Sequence, residues 1–167
     1  SPDSVAIIEH PDVRRMLLDM KSQTEATRAL AYYVAAQLDI AERHTNKEIR
    51  EITQNRVDLL TPVIKAWGSD ACIDVSNTGI QVHGGMGYIE ETGAAQHYRD
   101  ARITAIYEGT NGIQANDLVG RKIGRENGET INVLIHDIRV SIKNNFHTGD
   151  PSLSNLRSTV EQSVDDL

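Results

Sequence analysis

The stretch Pro11-Asp12-Val13-Arg14-Arg15-Met16-Leu17-Leu18-Asp19-Met20 opens the longest regular pattern in the chain. Val13, Met16, Leu17 and Met20 fall three and four residues apart, and the series continues through Thr24, Thr27, Leu30, Ala31, Val34 and Leu38. That spacing lays a single stripe along one face of an α-helix, because each turn takes 3.6 residues. Pro11 suits the first helical position, where its missing N–H is not needed and its φ is already helical. The pattern predicts one amphipathic helix over about 11–43, ended by the polar loop His44-Thr45-Asn46. A stripe of that length has to be covered by other helices.

Those helices are legible downstream. A second pattern runs from about Ile49 to His83, with Leu60, Val63, Ile64, Trp67, Ala71 and Val75 on its apolar face. Pro62 interrupts it, which predicts a break or kink and a fresh helix starting at Thr61-Pro62. Gly84-Gly85-Met86-Gly87 stops the pattern. Shorter helical pieces are expected around Ala94 to Arg102 and from Thr110 to about Arg125. Ile131, Leu134, Ile135, Ile138 and Ile142 predict another helix over about 129–145. A turn at His147-Thr148-Gly149-Asp150-Pro151 and a weaker last helix from Ser152 to Leu167 complete the reading. There is no internal repeat, no low-complexity tract and no strand pattern of more than a few residues. The expected fold is all-α, an up-and-down helical bundle.

The bulk composition agrees. The 167 residues fit one ordinary domain, and aromatics make up only 4% of them, with a single Trp67 and a single Phe146. Few aromatics and many Ala, Leu and Ile favour helix-on-helix packing over a β-sandwich. A formal net charge of −7 argues against a nucleic-acid binder as the default role. Cys72 is the only cysteine, so no internal disulfide can form. No apolar run approaches the roughly 20 residues that span a bilayer. No signal-peptide pattern opens the chain. The expected setting is soluble and intracellular, cytoplasmic in a bacterium. The missing initiator Met and an end inside a helical pattern suggest a chain cut at both ends.

Three segments bear on chemistry. In Gln81-Val82-His83-Gly84-Gly85-Met86-Gly87-Tyr88, glycines after a helix allow positive φ and close backbone approach to a ligand. Taken alone, a helix C-cap followed by a tight turn accounts for it, and no G-x-G-x-x-G spacing follows a strand. In Tyr98-Arg99-Asp100-Ala101-Arg102, two arginines flanking an aspartate suit an anionic cofactor, or equally a solvated, internally paired helix face. In Ile106-Tyr107-Glu108-Gly109-Thr110-Asn111-Gly112-Ile113-Gln114, a glutamate among apolar neighbours precedes a helix. It can serve as a general base in an apolar pocket, or as a charge that stabilises the helix dipole. Each signal is weak by itself.

In this order and spacing the three segments closely resemble the C-terminal domain of acyl-CoA dehydrogenases, and the helix beginning Ile8-Glu9-His10 is similar to the first helix of that domain. The resemblance covers roughly residues 5 to 124. It implies a flavoprotein using FAD, with no metal, in which the glutamate of a Tyr-Glu-Gly-Thr motif abstracts the α-proton of an acyl-CoA thioester. A hydride then leaves the β-carbon for the flavin, giving a trans-2-enoyl-CoA. Glu108 matches that base, and its backbone N–H matches a donor to the thioester carbonyl. Gly109 matches the position that leaves room for the substrate. Gln81, Val82, His83, Gly84 and Gly85 match a segment that contacts FAD across a subunit interface, and Thr110 matches a second flavin contact.

The resemblance further implies an electron-transferring flavoprotein as acceptor and a homodimer or homotetramer, with no nucleic acid and no membrane span. Two departures stand out. The family's usual Thr-Ser-Gln or Thr-Ala-Gln is Thr110-Asn111-Gly112 here, and its His-Gln pair is His10-Pro11. Both, and the sequence after about residue 125, resemble a subgroup of larger members with an added C-terminal region. That divides the chain into 1–125, the domain itself, and 126–167, the start of an extension. Related flavoproteins of the same fold, acyl-CoA oxidases and the DNA-binding alkylation-response branch, are the alternatives, together with a purely scaffolding helical module. The isolated segment is expected to be inactive, since the family's flavin lies between this domain and a β-domain.

Overall fold

The computed structural model describes residues 4–145 and 151–166. A short turn of tighter helix, Ile7–Glu9, leads into α1, Pro11–Arg43. Arg14 ties the two together, donating from Nε to the Ile8 carbonyl (2.8 Å) and from Nη2 to Glu9 Oε2 (2.5 Å). Asn46 then starts α2, Lys47–His83, by accepting from the Glu48 N–H (2.8 Å) and the Ile49 N–H (3.4 Å). Such a cap satisfies donors that the first turn leaves orphaned.

α1 and α2 form an antiparallel hairpin. Met20 lies near Gly79 and Thr27 near Gly68, while Val34 shares a cluster with Val57 and Leu60. Numbers that rise along one helix fall along the other. Val34, Val57 and Leu60 are buried, with Leu30, Ile64 and Leu134 packed against them. Each such side chain contributes on the order of 1.5–3 kcal/mol when fully buried. The predicted stripe of α1 is the inward face, except at Thr24, which is exposed, and at its end. Leu38 stays 40% exposed and Ala41 is buried in its stead.

The predicted break at Pro62 does not occur: α2 runs through it as one helix. Proline removes the bond to Asp58 O and crowds it, costing roughly 3 kcal/mol in a free helix. Here Pro62 is itself buried beside Val57, Leu59 and Leu60, and core packing holds both halves in line. The Thr61 hydroxyl also donates to Val57 O at 2.7 Å. Trp67, expected on the apolar face, is 40% exposed.

After α2 come α3, Gly85–Tyr88, and α4, Ala94–Thr104, which buries Ala95 and Ala101 and packs on α2. α5, Asn111–Asp117, is shorter than predicted and widens into a π-helical turn over Leu118–Ile123. α6, Glu129–Asn145, matches its prediction closely and brings Leu134 to the core. Arg56 on α2 donates to Tyr33 on α1 (3.0 Å) and to Asp137 on α6 (2.6 Å), joining three helices. Burial pulls the Arg56 guanidinium down, yet these two hydrogen bonds outweigh it and hold the group above its ordinary value. α7, Pro151–Asp165, is tied to α6 by Arg139 and Asp165 (2.8 Å). The turn expected at 147–151 lies outside the described residues, apart from Pro151. Among the described residues the fold is all-α, as predicted, and no helix is long and apolar enough to cross a membrane.

Candidate active site

The loop between α4 and α5 presents Glu108. At the end of α4, the Ile106 and Tyr107 N–H groups both donate to Ile103 O, at 2.9 and 3.1 Å, which closes the helix. Glu108 (φ 53°) and Gly109 (φ 87°) then turn the chain through two consecutive left-handed residues. The Asn111 N–H reaches back to Ala105 O (3.2 Å), and Thr110 Oγ1 caps α5 by accepting from the Ile113 N–H (3.2 Å). A glutamate in the left-handed region costs roughly 1–2 kcal/mol, so it persists only where its surroundings fix it.

Those surroundings are on α2. Lys65 Nζ donates to the Gly109 carbonyl and to Asn111 Oδ1 (3.1 Å). Asn111 Nδ2 donates to Ser69 Oγ (2.9 Å) and Asp70 Oδ1 (2.8 Å), with Ala66 O also in reach at 3.2 Å. Ser69 is buried, and Gln114 Nε2 reaches Glu108 O from α5 at 3.4 Å. The Glu108 side chain itself is exposed, and its neighbours Ile103, Ile106, Tyr107 and Ile113 are exposed with it. The apolar pocket expected around Glu108 is not formed within the described residues: the carboxylate and its apolar neighbours all face solvent.

The glycine turn lies at the other end of α4. His83 Nδ1 is 2.8 Å from Gly79 O, so the ring donates from Nδ1 to that carbonyl. Gln81 and His83 are exposed and Val82 is half-buried. Gly84 takes φ 62° and ψ −147°, a conformation reserved for glycine. A Cβ on Gly84 or Gly85 would meet nothing within 4 Å. That open backbone fits a cofactor approaching from outside the chain. Thr110 fits as well, since its hydroxyl accepts from Ile113 and keeps its own proton to donate.

The paired-arginine segment on α4 takes the plainer of its two readings. Arg99 donates twice to Gln96 Oε1 (3.0 and 2.7 Å), and Gln96 donates to Asp100 (2.6 Å). A groove of about 660 Å³ between α1, α2 and α4 is lined by His83, Gly93, His97, Asp100 and Thr104 among others. Glu108, Gly109 and Thr110 are not on it. The two predicted clusters thus do not share a cavity within this chain. Lys65 and Ser69 escaped the sequence reading, because a lysine and a serine on a long helix carry no local signal of a partner more than forty residues away.

The family model for the acyl-CoA dehydrogenase C-terminal domain matches residues 3–123. The chain is 54% identical over 128 residues to the 3-methylmercaptopropionyl-CoA dehydrogenase of Ruegeria pomeroyi, covering 77% of this chain and 22% of that protein. It is 41% identical over 141 residues to a butyryl-CoA dehydrogenase of Syntrophomonas wolfei, covering 84% and 23%. A broad-specificity linear acyl-CoA dehydrogenase of Mycobacterium tuberculosis, FadE5, is 38% identical over 125 residues, covering 74% and 20%. The chain thus spans about a fifth of the length of these curated relatives. The solved structure "Bd2924 apo-form" shares the fold over 99% of this chain and 31% of its own, with a TM-score of 0.73 at 21% identity. By the match over residues 3–123, the chain belongs to the acyl-CoA dehydrogenase family, as its helical C-terminal domain.

Proposed function

We propose that this chain works within a flavin-dependent acyl-CoA dehydrogenase, with Glu108 as the base that removes the α-proton of the thioester. The observation that carries the reading is the state of Glu108: an exposed carboxylate on a residue of left-handed conformation, in a loop whose next residues, Gly109 and Asn111, bond to Lys65 of α2. Its backbone N–H makes no hydrogen bond within the described residues and is available to the thioester carbonyl as negative charge develops there. Bound FAD would supply the acceptor for the hydride that leaves the β-carbon. Glu108 keeps the α-proton, and the acyl group becomes a trans-2-enoyl thioester. Gly109 leaves the substrate room beside the carboxylate. Residues 81–85 and Thr110 would hold the flavin, and the surface that completes the pocket lies outside this chain, so the chain alone is inactive.

An electron-transferring flavoprotein is the proposed acceptor, and a caffeyl-CoA reductase–Etf complex subunit of Acetobacterium woodii is among the relatives, 32% identical over 99 residues. We read residues 126–167 as a region added to the domain, within which α6 packs on α2. The decisive test is Glu108→Gln in the full-length flavoprotein. The amide cannot accept the proton, so bleaching of bound flavin by acyl-CoA should slow by two to four orders of magnitude, about the scale of an essential base. Flavin content should not change. Bleaching at the original rate would assign the base to another carboxylate.

A further inference from the structure

Glu108 is placed by residues that no part of the proton chemistry requires. Lys65 holds the Gly109 carbonyl, and Asn111 joins the same ammonium to the buried Ser69 and to Asp70. Gly109 and Asn111 flank Thr110, so both ends of the short segment following Glu108 are anchored to one stretch of α2, residues 65–70. Asn111 suits the site chemically. Its amide oxygen accepts from a lysine while its amide nitrogen donates to a hydroxyl and a carboxylate, which no aliphatic or acidic side chain can do at once. Glu108 itself has no comparable anchor: Gln114 to Glu108 O, at 3.4 Å, is the long contact.

We propose that Lys65 and Asn111 are positioning residues for Glu108, a clamp that sets the aim of its carboxylate and backbone N–H. This rests on the assignment of Glu108 as base. Freed from the clamp, Gly109 can rotate, and Glu108 can relax towards the right-handed region that glutamate prefers. A carboxylate displaced by about 1 Å from the α-carbon loses roughly a hundredfold in rate. The substrate's remaining contacts are unaffected by that displacement, so the defect falls on kcat and spares KM.

The experiment compares Lys65→Met, Asn111→Ala and Glu108→Gln in the full-length flavoprotein. It reads flavin content, melting temperature, kcat, KM, and solvent-deuterium exchange into the α-position of an acyl-CoA lacking β-hydrogens. Exchange isolates the proton transfer, since nothing can be oxidised. The clamp variants should lose about 10- to 100-fold in kcat per bound flavin and in exchange, with KM within about threefold. If Lys65→Met does not fold, Asn111→Ser decides in its place. Unchanged kcat and exchange beside an inactive Glu108→Gln would overturn the clamp and leave the base standing. Rate lost in step with flavin and melting temperature would also overturn it, in favour of a folding role. A Glu108→Gln variant that exchanges normally would overturn the base assignment itself.

Discussion

Gly87 sits so close to Ile80 that a Cβ on it would stand 2.3 Å from the Ile80 carbonyl oxygen and 2.8 Å from His83 Cβ. α3 therefore folds back on the last turns of α2 only because position 87 lacks a side chain. Gly84 and Gly85 face open space, but they differ in backbone. Gly84 takes φ 62°, whereas Gly85 starts a helical turn. The three glycines should separate in experiment. Gly87→Ala should lower stability by roughly 1–3 kcal/mol, the usual cost of overpacking, in urea melts of this chain. Gly85→Val should leave those melts within about 0.5 kcal/mol yet reduce FAD retention in the full-length protein. Gly84→Val should do both, through backbone strain and obstruction together. Equal melting losses at 84 and 85 would point to a capping turn with no part in cofactor binding.

How much of the fold is legible in the sequence depends on the range of the interaction concerned. α1 and α6 follow from periodicity alone, because each stripe is the face that meets the core, and their ends fall where predicted. Pro62 misleads because local rules see the missing hydrogen bond and not the burial that compensates it. Trp67 misleads likewise: helical spacing places it near the stripe, and only three-dimensional packing shows that 40% of it stays open to solvent. The Glu108 loop is legible as a motif, but its support is not. In sequence, Asn111 is a departure from Thr-Ser-Gln with no evident purpose. In the fold its amide bonds to Ser69 and Asp70 on α2, more than forty residues away.

Acid should loosen the junction between α2 and the segment that leads into α6. Asp58 accepts from Gln54 Nε2 and from Arg125 Nη1, both at 2.8 Å. Burial raises its carboxyl, but these hydrogen bonds and the charges of Lys122 and Arg125 outweigh that and hold it below the ordinary carboxylate value. The unfolded chain therefore binds this proton more readily than the folded one. The stabilisation is fully present above the unfolded pKa, near 3.8, and disappears as pH falls through the depressed folded value. Asp58→Asn should be less stable than the parent chain at neutral pH, with the gap closing as the pH drops below about 4. Urea melts of both chains across that range are the measurement. A gap that stays constant would mean the ion pair contributes nothing pH-dependent.

The outward face of the hairpin predicts assembly. Leu18 is 68% exposed and Tyr32 70%, on the same helix whose other face fills the core, and Ile52 on α2 is 52% exposed. Apolar side chains scattered singly need no partner. Here Leu18, Tyr32 and Ile40 recur on one side of α1, with Tyr33 open beside them. Covering such a surface with a second copy removes it from water on both sides at once, and a self-complementary contact closes as a dimer or, repeated, a tetramer. Sedimentation equilibrium at micromolar concentration should give a mass of at least twice the 18.5 kDa of the chain. Added salt should not dissociate it, since apolar association is not screened as ion pairs are. Leu18→Glu and Tyr32→Glu should shift the mass towards the monomer without lowering the melting temperature of the dilute chain, because neither residue is buried within it. A parent chain sedimenting as a clean monomer would sink the idea that these two helices alone carry the contacts between copies.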